Sequence, residues 1–534
     1  MAPGSRSPKV GTKGPELAEV EIVAIRPGRS SAAIGPALTG PAGHRLICAV
    51  RSGAPNSHTA ALSSERDSVR LSLGDGGCEV LAGRERRTIL AGMRGASAYA
   101  SLALEPVWAG HRLHARLGPT FGIDPPLKRR KRSRRGVFVS TEAAAEQILE
   151  NPARFHSMGL SPVRGPSGSA QRRLRDGMIR MNGEEQTKLR RAYAPGLAKG
   201  RICAQEDRLA AIVREEIDAW PRGSVFDART PIKRIVRRAA AAMLFGADHD
   251  PEILAIADLL EQHANLQFDL ATLIAPAMIP GLPYHRLVRH AELTEATLID
   301  WISRRPPGDN LLTRIASVVD DEGSPLDAKA KAAQFWTLYG ASFHTTATAI
   351  NWCLLHLAWN PEVSRRLDQE IASAGRTTPF LDAVVAEALR MSPPVPFQIR
   401  RCVGDDCIDG IDVSAGDRVF ISSHVMNRDP SAYDAPERFA PERWLDREPT
   451  AYHPLAFSAG PRRCLGYTFA IAVMKATLAE MWQTAHIGVP DCGGIGVRLA
   501  ITQGPTRVPL LLQPHDTKGA AASFTGAAAR QMSR

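Results

Sequence analysis

No two of the eight cysteines (48, 78, 203, 353, 402, 407, 464 and 492) are spaced as C-x-x-C, and they form no compact cluster. That argues against a structural zinc site and against a disulfide-stapled fold, and it fits a reducing compartment. No apolar run reaches the ~18 residues that a spanning helix needs, so no transmembrane anchor is predicted. The opening residues, MAPGSRSPKVGTKGPELAE, lack the apolar h-region of a secretory signal, and a cytoplasmic protein is expected. No zinc-finger, helix-turn-helix or RNA-binding aromatic pattern accompanies the net charge of +12, so no nucleic-acid partner is predicted.

What is present is a chain of 534 residues, 44% hydrophobic, able to bury a sizeable core. Much of the basic excess is scattered arginine. The one dense run, Lys128 to Arg135, lies between the strand-like Phe121-Gly122-Ile123 and Val137-Phe138-Val139, and is read as a solvated hairpin tip. Residues 1–95 show only brief alternating runs and no helix period. Three readings stand for them: a disordered extension, a small β module, or a stretch upstream of the native start, for which Met93 is the candidate. A catalytic domain is expected over 96–515 and a disordered Ala/Ser tail over 516–534.

From Glu105-Pro106 helical patterns dominate. Helices are predicted to Leu117, over Ala143–Leu149 behind a Ser140-Thr141-Glu142 cap, and from Glu184 onward, with breaks at Pro and Gly. The longest runs from about Pro325 to Asn360; another covers Leu381–Met391. Residues 157–180 are read as loop. After residue 392, short runs such as Arg418-Val419-Phe420-Ile421 read as small antiparallel sheet. The fold class is mainly α with a minor β-sheet region.

The chemistry centres on Phe457-Ser458-Ala459-Gly460-Pro461-Arg462-Arg463-Cys464-Leu465-Gly466, directly before a helix that starts at Tyr467. A thiol among arginines, loop N–H groups and a helix N-terminus is expected to ionise easily and to want a metal. The plainer alternative is a buried cysteine before a core helix. Glu387 and Arg390, three apart on one helix, can pair on one face.

The spacing F-x-x-G-x-R-x-C-x-G resembles the signature of the cytochrome P450 family, and Glu387-x-x-Arg390 resembles its E-x-x-R helix. The resemblance implies haem b with Cys464 as the axial iron ligand, and cofactor contacts from Phe457, Gly466 and Ala341. It implies a Glu-Arg-Arg network completed from a downstream P-E-R-F or P-E-R-W. Two copies exist here, at Pro436–Phe439 and Pro441–Trp444, and the family order favours Arg443 over Arg438. Gly340-Ala341-Ser342-Phe343-His344-Thr345-Thr346 resembles the oxygen-binding segment, with Ser342 replacing a glycine and His344 replacing an acid. Thr345 with His344 is the implied proton relay; the alternative for His344 is simple helix packing. Haem propionates need cationic donors: Gln186 with Arg190 (Gln in place of the usual His or Trp), Arg400 or its neighbour Arg401, and Arg462 are the candidates. Val395, Phe397, Tyr339 and Phe343 would line a substrate pocket.

The resemblance spans about 103–513 and implies a monooxygenase that uses O2 to hydroxylate or epoxidise a lipophilic small molecule. The absence of any FMN or FAD segment predicts an external ferredoxin or flavodoxin, drawn to Arg190, Arg191 and Lys475; a monomer is expected. The competing readings are a haem-thiolate isomerase or dehydratase that uses no O2, and a non-catalytic haem-binding sensor.

Overall fold

The computed structural model describes residues 106–123, 135–159, 163–247, 250–274, 276–319, 323–490, 494–499 and 502–513, plus three strands between residues 61 and 80. Most of the basic run at 128–135 and the tail 516–534 lie outside them. The chain divides into two compact units, Met1–Ile89 and Leu90–Arg534. In the first, β1 (Ala61–Glu65), β2 (Ser68–Ser72) and β3 (Cys78–Val80) form an antiparallel meander.

The first described element of the second unit is α1 (Pro106–Leu117), followed by β4 (Thr120–Ile123) and β5 (Gly136–Val139), which pair antiparallel as the hairpin reading requires. Thr141 caps α2 (Glu142–Leu149), its hydroxyl accepting from Ala144 N at 3.2 Å. After β6 (Phe155–Ser157) comes a departure from the sequence reading: the stretch expected as loop contains α3 (Ala170–Arg175). Ser169 caps it, Leu174 is buried, and Arg173 pairs with Glu295 from a distant helix. The stabilising partner is non-local, and no periodicity in six residues announces it.

The helical body follows as α4 (Gly183–Tyr193), α5 (Glu206–Asp218), α6 (Arg229–Phe245), α7 (Pro251–Gln267) and α8 (Pro283–Ser303). The central element is α9 (Ala328–Trp359). Its 32 residues span ~48 Å at ~1.5 Å each. Asp327 caps its start, accepting from Ala330 N at 2.7 Å. Pro361, which cannot continue a helix interior, instead opens α10 (Pro361–Ala374). α11 (Pro379–Met391) and α12 (Tyr467–Thr484) pack with α6 and α8 around α9. Its buried residues fall on all sides, as for a helix enclosed by others.

The remaining strands are β7 (Phe226–Asp227), β8 (Phe397–Cys402), β9 (Asp406–Ile408), β10 (Ile411–Val413), β11 (Arg418–Ser422), β12 (His486–Gly488), β13 (Val497–Leu499), β14 (Gln503–Pro505) and β15 (Pro509–Gln513), divided among several small sheets. The largest sheet is ordered β4-β5-β11-β8-β6. No helix among the described residues is long and apolar enough to cross a membrane.

Candidate functional site

The cysteine loop is held at both ends. Cys464 N donates to Phe457 O at 2.7 Å, closing the loop on itself. Gly460 has φ +65°, and a Cβ there would stand 2.5 Å from Leu149 O at the end of α2, so only glycine fits. Phe457 packs edge-on against Tyr467, the first residue of α12. Ser458 Oγ donates to Gln398 Oε1, tying the loop to β8.

Cys464 is surrounded by protein, yet it keeps open surface. A Cβ added at Gly466 would meet no protein atom within 4 Å. Burial pushes the thiol up; a Gly466 backbone hydrogen bond and the charges of Arg190 and Arg463 pull it down without prevailing. The easily ionised thiol read from the sequence is therefore corrected: in the polypeptide alone desolvation wins. A coordinated metal cation would reverse the balance.

On α9, Gly340, Ala341, His344 and Thr345 are half-open, while Tyr339, Phe343 and Thr346 are buried. Residues 341, 344 and 345 share a face at helical spacing, and 339 and 343 lie on another. Thr345 Oγ1 donates to Ala341 O at 3.0 Å. Tyr339 and Phe343 were expected at the pocket, but both are fully buried. Tyr339 OH donates to Ile253 O at 3.4 Å, and the Phe343 ring lies 5.1 Å beneath the Arg237 guanidinium. They are core residues here. Val395 and Phe397 remain half-buried.

His344 Nε2 is buried without a hydrogen-bond partner among the described residues. Burial and the charges of Lys233 and Arg237 bring its imidazole down to about 3, with Glu261 opposing, so it is neutral at physiological pH. A cavity of about 40 Å³ beside it is lined by Gly340, Ala341, Leu260, Ala264 and Gln267. A larger cleft of about 780 Å³ lies beyond the outer side of the cysteine loop, between Trp444, Phe457, Arg463 and Tyr467. It is lined by neither Cys464 nor any α9 residue.

Three guanidiniums gather near the loop. In β8 the pleat turns Gln398, Arg400 and Cys402 inward and Arg401 outward, which separates the two neighbours that sequence left undecided. Arg400 is 7% exposed, and the bond the structure gives it is to Ile399 O at 3.1 Å, with no carboxylate partner among the described residues. Burial and the Arg462 charge bring it down to about 10. Arg462 is likewise brought to about 10 by burial and by Arg190; it donates to the carbonyls of Ile179 and Met181. Arg190, one turn after the buried Gln186, donates to Arg463 O at 2.6 Å. His156 was missed by sequence reasoning. It pairs across the strands with Arg401 and feels both Arg401 and Arg462, a contact with no local sequence signal. Cations this close and this poorly countered fit a dianionic group such as a pair of propionates.

Behind the loop, Glu387 receives Arg390 Nε at 2.8 Å, Arg443 Nε at 3.1 Å, Trp444 Nε1 at 2.8 Å and Ala440 N at 2.8 Å. Arg438 gives only its carbonyl, accepting from Arg390 Nη2 at 3.0 Å, while its side chain is exposed. The duplicated motif thus divides its labour, with Arg443 as the ionic partner. Burial alone would raise the Glu387 carboxyl; the Arg390 hydrogen bond and the two arginine charges outweigh it and hold it low.

A family model described as cytochrome P450 matches residues 111–487. The chain is 37% identical over 184 residues to mouse cytochrome P450 4V2, an alignment covering 32% of this chain and 35% of that protein's length. It is 25% identical over 374 residues to putative cytochrome P450 135B1 of Mycobacterium tuberculosis, covering 67% of this chain and 77% of that one. The fold is similar to that of retinoic acid-bound cyanobacterial CYP120A1, with TM-score 0.66 and 19% identity over 78% of this chain and 95% of that one.

Proposed function

The chain belongs to the cytochrome P450 family, and from that premise we propose a haem-thiolate monooxygenase that hydroxylates or epoxidises a lipophilic small molecule. The observations that carry this reading are Cys464 with its open surface, the poorly countered Arg400 and Arg462, and the half-open Ala341, His344 and Thr345 of α9. These residues fit haem b. Bound there, it would supply reductive activation of O2, with one oxygen atom entering the substrate and the other leaving as water.

The chain's own contribution is placement and proton traffic. Cys464 would give its sulfur to iron, with Arg190 and Arg463 offsetting the thiolate charge. Arg400, Arg462 and Gln186 would hold the propionates. The Thr345 hydroxyl, already oriented by Ala341 O, would hold a hydrogen bond next to the reacting oxygen. His344 would pass protons inward. Val395 and Phe397 would shape the substrate wall.

Electrons would arrive from a ferredoxin or flavodoxin. Arg191 is exposed on the same helix as Arg190 and suits an acidic partner, whereas Lys475 is engaged by Asp382 at 2.6 Å. The free thiols of Cys203, Cys353, Cys402, Cys407 and Cys464 accord with a cytoplasmic setting.

The test is the carbon monoxide spectrum of the reduced, haem-loaded protein, followed by turnover under labelled O2 with NADPH, a ferredoxin and its reductase. A strongly red-shifted Soret band that disappears in Cys464→Ala, and label in the product, are expected. Wild-type protein without that band, or a band that survives Cys464→Ala, overturns the reading.

A further inference from the structure

Residues 164–180 carry five arginines (164, 172, 173, 175 and 180) and a single acid, Asp176. Arg173 pairs with Glu295 on α8, and Arg180 takes Asp176, so the segment keeps a positive excess. Arg175 ends α3 and is half-buried. Burial and the charges of Arg180, Arg164 and Arg172 bring it below the usual arginine range, with Asp176 opposing.

The segment is seated against α9. Met178 N donates to the buried Gln334 Oε1 at 3.0 Å. A Cβ at Gly177 would stand 2.9 Å from Ala333 O, so only glycine lets the chain pass so close to the helix. Ser169 caps α3 and Leu174 is buried, which fixes the backbone that presents the arginine.

Arg175 lines the cavity of about 40 Å³ together with Arg180, Trp336, Thr337, Ala341 and His344. Ala341 and His344 belong to the half-open face of α9 that also carries Thr345. Trp336 Nε1 is buried without a hydrogen-bond partner among the described residues, and an indole N–H can only donate. A water needs roughly 10–15 Å³ of such space, so the cavity takes a group of about three heavy atoms. A whole lipophilic molecule does not fit, but its head group does. A guanidinium and an orphaned donor around such a space suit a carboxylate, which accepts on both oxygens.

We propose that Arg175, with Trp336 Nε1, receives a carboxylate on the substrate, so that the enzyme selects lipophilic carboxylic acids. This rests on the monooxygenase reading above and narrows its substrate class. The apolar body would lie outside the small cavity, and the ion pair would fix the end from which it extends.

The experiment measures binding to the haem-loaded protein by calorimetry at neutral pH, where carboxyl groups are ionised. Dodecanoic, 4-cyclohexylbenzoic and abietic acids are each compared with the corresponding primary alcohol, which keeps the apolar body and removes the charge. At least one acid should bind about tenfold tighter than its alcohol or better, as a charge-assisted contact allows. Arg175→Met should bring that pair to within about twofold of each other and leave the alcohol unchanged, while Arg175→Lys should restore part of the preference. Trp336→Phe, which keeps a ring and removes the N–H, should weaken the acid severalfold and spare the alcohol. Haem transfer to apomyoglobin should be as slow in Arg175→Met as in wild type.

No acid preferred over its alcohol, or a preference that survives Arg175→Met, overturns the proposal. Faster haem loss in Arg175→Met also overturns it, since the arginine would then hold a propionate. A wild-type protein that lacks the thiolate band would instead overturn the function reading, and calorimetry would still decide this one.

Discussion

Arg400 is a guanidinium enclosed by protein, bonded to a carbonyl and exposed to the charge of Arg462. Such a group costs stability in the bare polypeptide and repays it when an anion arrives. Arg400→Met should therefore release haem about tenfold faster, the loss of a charge-assisted contact worth about 1.5 kcal/mol, while the haem-free protein melts no lower than wild type. Haem transfer to apomyoglobin and differential scanning fluorimetry check the two halves; a haem-free protein that is clearly destabilised would show that Arg400 is structural. The sequence narrowed the choice to Arg400 or Arg401 and could go no further. Which of two neighbours faces inward depends on the pleat phase of β8, set by its pairing with β11 and β6. His156 was illegible for the same reason: its partners are brought by strand pairing.

At the scale of elements, α11 and the 3-10 turn Pro441–Trp444 are joined through one carboxylate. Glu387 and Arg390 have no exposed surface, so breaking the set strands a buried charge. Glu387→Gln and Arg443→Met should each lower stability by about 3 kcal/mol or more and cut haem incorporation. Urea unfolding followed by circular dichroism measures this. Because the Glu387 carboxyl is held below its ordinary 4.5, its contribution is present above that pH and fades as the folded form is acidified. The gap between wild type and Glu387→Gln should therefore narrow toward acid; a gap constant with pH would refute the ionic origin. Most elements were legible, because capping residues, prolines and a sustained period mark α2, α9 and α11 directly. The short α3 was not, since its support comes from Glu295 on α8. Assigning Tyr339 and Phe343 to the pocket failed because the sequence places aromatics on a helix but does not say which face meets the cavity.

Across the whole molecule, burial leaves several histidines neutral. His111, His263, His344 and His356 are each brought from 6.5 to about 3, burial being the largest cause. The unfolded chain takes up these protons near 6.5 and the folded one resists until about 3. Stability is thus full above the upper value and declines as pH falls between the two, at up to ~1.4 kcal/mol per pH unit per group. His263 has neither ring nitrogen bonded among the described residues. His263→Phe should flatten that slope by about one proton and stabilise more at about pH 5 than at about pH 8. Urea titrations at several pH values decide it; an unchanged slope refutes the assignment.

The sequence by itself determined the helical fold class, the cysteine loop, the Glu387-x-x-Arg390 pair and the threonine of the long helix. Local spacing carries each of these, through loop geometry or a shared helix face. Only the tertiary structure decided that Arg443 and not Arg438 completes the network, that Arg400 faces inward, and that the bare thiol is raised. Each of those outcomes depends on burial and on groups far apart in the chain, and neither is written in the order of residues.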